Sequence, residues 1–181
     1  MRVLVIRMMG LGDVACIGLP GLRMLRRAHP EAAFSFMTFA AGGEIIQLES
    51  GLEHVYVVPP QDWPKDFSAA SRSFFDWGKL IAAEKFDLIY NLDTWFMPCF
   101  LARLLLDGGS PVQGNFIRWP VKQFLELARA PGFDSSLLSQ TPFFMASTFP
   151  GMAHWNTLPW WKVFPCAEGY PLFYLSHCCG L

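Results

Sequence analysis

Residues 2–14 constrain this chain more than any other stretch. Arg2 and Arg7 bracket the apolar run Val3-Leu4-Val5-Ile6, and Met8, Met9 and Gly10-Leu11-Gly12-Asp13 follow. A four-residue apolar run bounded by charge and glycine is the pattern of a short strand buried on both faces, in the middle of a parallel sheet. The glycines permit a tight turn where a Cβ would clash, and Asp13 then falls where a helix should begin. A carboxylate there accepts hydrogen bonds from unpaired backbone N–H groups and is favoured by the positive end of the helix dipole. The expectation is one ionised carboxylate at the carboxyl end of a central strand, the edge where ligands bind in open α/β sheets. Two other readings of the same residues stand beside it. Asp13 serves only as a helix cap in the first. In the second, Gly10-x-Gly12-x-x-Ala15 is the dinucleotide fingerprint of a nucleotide-dependent oxidoreductase. That reading lacks an acidic residue after the second strand, which ends in Phe39-Ala40-Ala41, and it sets the charge of Asp13 against a pyrophosphate.

The rest of the chain alternates strand and helix. The first helix turns Val14, Ile17, Leu22 and Leu25 inward and Arg23, Arg26 and Arg27 outward, as a solvated face or a contact for anionic lipid headgroups. Pro20 either kinks this helix or starts its regular part. Residues 33–39 read as strand two. Gly42-Gly43 reads as a turn, residues 44–49 as a short helix and residues 54–58 as strand three. Residues 61–65 read as a surface loop, with Trp63 and Pro64 as candidates for exposure at a site mouth. Phe67, Ala70, Phe74, Trp77 and Ile81 recur in steps of three and four opposite Arg72, Asp76 and Lys79, which predicts an amphipathic helix. Residues 87–92 are strand four, 96–106 a helix and 112–116 a fifth strand. Arg118, Lys122 and Arg129 then share a helical segment with Trp119, Phe124 and Leu125. Such alternation implies right-handed parallel crossovers, hence an α/β, Rossmann-like doubly wound parallel sheet over residues 1–134. Strands one and four are neighbours at its switch point, so Asp93 and Thr94 are expected near the Asp13 turn. From residue 135 to 181 the chain is apolar, with prolines, Trp155, Trp160 and Trp161, and shows neither a 3.6 nor a 2 period.

Composition narrows the partners. The chain has 181 residues, 52% hydrophobic and 16% charged, with a net charge of −1. Average soluble domains are about 25% charged, and a chain this close to neutral carries no general attraction for nucleic acid. The first apolar run is too short for a secretory signal, and Pro142, Pro150 and Pro159 interrupt the longest uncharged stretch, so no spanning helix is expected. The five cysteines, Cys16, Cys99, Cys166, Cys178 and Cys179, lack C-x-x-C spacing and read as free thiols, with Cys178-Cys179 beside His177 as a metal or redox alternative.

Met1-Arg-Val-Leu-Val-Ile-Arg-Met-Met-Gly-Leu-Gly-Asp13, followed by Pro20-Gly-Leu-Arg-Met-Leu-Arg-Arg-Ala-His-Pro30, resembles the opening of glycosyltransferase family 9, the lipopolysaccharide heptosyltransferases. Phe86-Asp87-Leu88-Ile89 resembles that family's fourth strand, and the resemblance fades after about residue 130. It implies the N-terminal half of a GT-B fold and an inverting, metal-independent sugar transfer with no cofactor. The donor is then a nucleotide sugar such as ADP-heptose, bound mainly by a second domain, and the acceptor a lipopolysaccharide-core-like glycolipid. Asp13 falls on the family's proposed catalytic base. Gly10 and Gly12 let the acceptor approach the backbone. Asp93 and Thr94 make polar contacts to a sugar with Trp95 as a stacking platform, or else Asp93 or Thr94 caps the following helix and Trp95 is core. Arg118 and Lys122 face the phosphorylated, carboxylate-bearing acceptor, or form a solvated basic face. The implied location is cytoplasmic, with peripheral contact at the inner face of the membrane. No second series of strands and helices and no second glycine-rich phosphate loop follows residue 135. The expectation is therefore an acceptor-side domain whose donor half is missing or separate. The alternative is a non-catalytic remnant or binding module for an acidic glycolipid or partner protein.

Overall fold

Val3, Leu4, Val5 and Ile6 have no exposed surface. In the computed structural model, which describes residues 1–63 and 67–148, they form β1 (Arg2–Ile6). This strand lies between two parallel partners. Val3 faces Phe34 of β2 (Ala33–Phe39) on one side and Leu88 of β4 (Leu88–Asn91) on the other. β3 (Leu52–Val58) pairs parallel with β2, and β5 (Val112–Ile117) parallel with β4. β6 (Met145–Thr148) closes the sheet antiparallel to β5. The order is β3-β2-β1-β4-β5-β6, a doubly wound sheet with its switch between β1 and β4.

Side chains alternate across a strand, so β1 feeds two cores. Val3 and Val5 pack with Val14, Leu22, Leu25 and Ile46 on one face. Leu4 and Ile6 pack on the other with Phe74, Ile81, Phe100, Leu101, Phe124 and Phe144. Helices supply both layers. Residues 11–28 run as one helix made of α1 (Leu11–Asp13), a π turn (Val14–Gly18) and α2 (Leu19–Ala28). The π turn answers the Pro20 question. Pro20 has no N–H for the carbonyl four residues back, and the helix widens just before it, with Leu19 N–H donating to Val14 O, five residues back. α3 (Ala40–Ile46) shares this face. α4 (Phe67–Ala83), α5 (Phe96–Asp107) and α6 (Val121–Arg129) cover the other. Each such large apolar side chain contributes about 1.5–3 kcal/mol when fully buried.

Three expectations need correction. Gly42 and Gly43 are not a turn but buried residues inside α3. A Cβ on Gly42 would strike Thr38 and Val14, and one on Gly43 would come within 3.0 Å of Val57, so glycine lets the helix lie close to the sheet. Trp63 is buried, with its ring at 4.8 Å from Phe74, rather than exposed at a site mouth. Neither Asp93 nor Thr94 caps α5, whose N-cap is Trp95 with no side-chain hydrogen bond. Residues past 134 also have structure. α7 (Thr141–Phe144) buries Phe144 against Phe96, and β6 extends the sheet. Pro64, Cys166, Cys178, Cys179 and the tryptophans beyond residue 148 lie outside the described residues.

Candidate active site

Arg7 follows β1 directly, and its backbone N–H donates to Met37 O at 3.0 Å, which continues the β1–β2 ladder by one step. Its side chain is 2% exposed. The guanidinium reaches three groups at the carboxyl edge of the sheet. Nη2 donates to Asp13 Oδ1 at 2.6 Å, Nη1 donates to Leu92 O at 2.9 Å, and Asp93 Oδ1 is 3.3 Å from Nη1. Asp13 and Asp93 are thus joined through one buried cation, where the adjacency of strands one and four brings their two turns together. Sequence reading took Arg7 only as the end of a strand. No local pattern marks its role, because its partners come from a turn six residues on and a strand end 85 residues on.

The two carboxylates differ in environment. Asp13 sits in the first helical turn, with its side chain 39% exposed at the rim. Asp93 has no exposed surface, and its Oδ2 accepts Met8 N–H at 2.5 Å. Burial pushes its carboxyl up to about 6, against the pull of Arg7 and the Met8 amide, while Asp13 adds a smaller push upward. As placed, Asp93 faces Arg7 and the Met8 amide rather than the open rim.

A polar network under this turn fixes the Asp93 backbone. Asp93 N–H donates to Asn91 Oδ1, and Asp93 O accepts Asn115 Nδ2 at 2.8 Å and the Cys99 thiol at 3.5 Å. Burial pushes that thiol well up, so it stays a neutral donor. Asn91 Nδ2 donates to Asn115 O at 2.7 Å, and Ser147 Oγ to Asn115 Oδ1. Gly114 lets β5 lie close against β4 where it pairs with Asn91. Its φ is +91°, and a Cβ there would collide with the Asn91 carbonyl.

Gly10 and Gly12 are exposed, and a Cβ on either would meet nothing within 4 Å. Neither has a positive φ, so the fold itself places no demand for glycine there. Gly10 is the N-cap, with its carbonyl accepting Val14 N–H at 3.1 Å and no side chain to cover the first-turn amides. At the carboxyl ends of β2 and β4, Phe39 and Trp95 are half-buried, with ring centres 6.3 Å apart. Thr94 is half-buried, and its carbonyl accepts Thr141 Oγ1 at 3.3 Å.

Arg118 leaves β5 at the same edge, two strands and roughly 10 Å from β1. Its Nη2 donates to Pro142 O at 2.7 Å, and its guanidinium lies over Trp119 at 5.6 Å, which fastens α7 to β5. The structure therefore uses this fork on backbone carbonyls. Lys122 is exposed on α6. Arg23 and Arg26 both pair with Glu49, at 2.7 and 3.1 Å, and tie α2 to the segment after α3. Arg23 and Arg27 are exposed, as expected of a solvated face, and the pairing with Glu49 adds a tie to it. A groove of about 570 Å³ along β3 and α4 is lined by Arg2, Glu53, Tyr56, Trp77 and Glu84 among others, and none of the expected site residues lines it. Among the described residues, no group of three His, Cys, Asp or Glu side chains is placed to hold a metal. Among the same residues, no helix is long and apolar enough to cross a membrane.

The sheet order and the layers of helices make a doubly wound α/β domain, a fold shared with one part of a solved glycosyltransferase structure. The chain is similar to the solved glycosyl transferase family 9 structure from Veillonella parvula, with a TM-score of 0.50 and 23% identity over 57% of this chain and 29% of that one. The E. coli heptosyltransferase WaaC with ADP-2-deoxy-2-fluoro heptose gives a TM-score of 0.47 at 22% identity, over 57% of this chain and 34% of that one. E. coli ADP-heptose lps heptosyltransferase II gives 0.47 at 18%, over 61% and 29%. The first of these likenesses shows the fold. The chain spans 29 to 34% of the length of these structures. No family model and no curated protein matches it.

Proposed function

We propose that this chain is the acceptor-side domain of a heptosyltransferase-type glycosyltransferase, with Asp13 as the base that takes the proton of the acceptor hydroxyl. The observation that carries this reading is a carboxylate open to solvent at the carboxyl rim of the central strand, held in place from behind by a buried arginine. A hydroxyl approaching Asp13 loses its proton to the carboxylate as its oxygen bonds the anomeric carbon. The bond from that carbon to the nucleoside diphosphate breaks, and the leaving phosphate keeps the electron pair. Holding both sugars in line lowers the barrier further. Attack from the face opposite the leaving group inverts the anomeric carbon, and the family resemblance adds that no metal takes part.

Gly10 and Gly12 fit this role because both lack side chains in open space, where an acceptor can lie against the first-turn amides. Thr94 and the Phe39–Trp95 pair border the same rim, and Lys122 supplies an exposed cation toward an acidic acceptor. The donor, a nucleotide sugar such as ADP-heptose, belongs mainly to a second domain or a separate partner. The acceptor is a lipopolysaccharide-core-like glycolipid met at the inner face of the membrane by a cytoplasmic protein. Amide NMR of the chain with a phosphorylated core oligosaccharide tests the acceptor half of this reading. Saturable shifts centred on Gly10 to Asp13 are expected. Saturable shifts confined to other surfaces, or none at millimolar oligosaccharide, would overturn it.

A further inference from the structure

Arg7 carries more carboxylate than one cation needs. Its guanidinium is 2% exposed and meets Asp13 at 2.6 Å and Asp93 at 3.3 Å. A charge taken out of water is tolerated only while a counter-charge stays beside it. Under the reading of Asp13 as the base, on which this inference rests, Asp13 goes from charged to neutral each time it takes up a proton. If Asp13 were the only carboxylate at Arg7, that event would strand a buried guanidinium, and the field of Arg7 would oppose it.

We propose that Asp93 is the standing counter-ion of Arg7, a positioning residue that keeps the guanidinium paired while Asp13 gains and loses its proton. The geometry is suited to this division. Asp93 is sealed from solvent and anchored at Oδ2 by the Met8 amide, whereas Asp13 holds Arg7 through Oδ1 and stands at the rim. The surroundings add little competing charge. Cys99, the titratable group on α5 beside Asp93, points its thiol at the Asp93 carbonyl, and Asn91 and Asn115 are neutral. Glu44 on the neighbouring α3 is exposed, and Asp62 accepts the Trp77 indole N–H at 3.1 Å. Two carboxylates sharing one cation each favour protonation of the other.

Carbon-detected NMR titration of the aspartate carboxyls in the 181-residue chain tests this. Asp93→Asn is expected to make Asp13 harder to protonate and so a poorer base, because the guanidinium's field then falls on Asp13 alone. Reciprocity requires that Asp13→Asn lower the midpoint of Asp93 by a similar amount. The second variant alters a partly exposed side chain, so it decides the matter alone should Asp93→Asn not fold. A midpoint that stays put or rises in a folded variant overturns the proposal. The titration involves no sugar transfer. Failure of the base assignment would appear instead as undiminished transfer by Asp13→Ala, so the two failures are distinguishable.

Discussion

Replacing Asp93 by asparagine turns its burial into a measurable pH dependence of stability. The carboxyl titrates near 3.8 when unperturbed and is pushed up to about 6 in the fold. An acid raised on folding favours the fold while neutral. Its contribution is full below about 3.8 and is lost as pH rises through about 6. Ionising Asp93 inside the protein rather than in the unfolded chain therefore costs about 3 kcal/mol, at about 1.36 kcal/mol per pH unit of difference. The substituted amide keeps an oxygen for the Met8 N–H but carries no charge to desolvate. The stability of Asp93→Asn relative to wild type is thus expected to climb with pH, by about 3 kcal/mol over the full range and about half of that between pH 5 and pH 7.5. Urea unfolding of both proteins by circular dichroism at those two pH values reads this difference, and the other titrating groups common to both cancel. A relative stability that is flat or falls with pH would refute the burial of an ionising Asp93.

Gly114→Ala should destabilise by about 2–4 kcal/mol in urea unfolding, since a side chain at φ +91° is strained and its Cβ meets the Asn91 carbonyl. Gly10→Ala and Gly12→Ala should leave the melting temperature within about 2 °C of wild type, because a Cβ there meets nothing, yet weaken acceptor binding in calorimetry. Phe144→Ala should cost about 3–5 kcal/mol, since this ring is 1% exposed and packs edge-on against Phe96.

Much of this fold was legible because its signals are local. The run Val3-Leu4-Val5-Ile6 predicts a strand buried on both faces, and β1 has that burial. The three-and-four spacing of Ala70, Phe74, Trp77 and Ile81 predicts α4, and Ala70, Phe74 and Ile81 are fully buried. The alternation of elements predicts the parallel order through β5. What was illegible depends on contacts between distant segments. Gly42 and Gly43 look like a turn because glycine signals flexibility, whereas here the missing Cβ admits Thr38, Val14 and Val57. Trp63 looks exposed because it follows two prolines, but its ring packs edge-on against Phe74 of α4. The strand at 145–148 is four mixed residues, too short for any period, and gains its structure from pairing with β5. In the site, the neighbourhood of Asp13 and Asp93 followed from topology. The cation between them did not, since an arginine after an apolar run ordinarily marks the point where a strand meets water.

Sugar transfer onto a lipopolysaccharide-core acceptor, measured by mass spectrometry with residues 1–148 grafted in place of the acceptor-side domain of a family 9 enzyme, tests the assignment of Asp13 most directly. Transfer by the graft carrying Asp13 is expected, with a loss of about 10²–10⁴-fold in Asp13→Ala and unchanged circular dichroism. Equal transfer by the two grafts would contradict it.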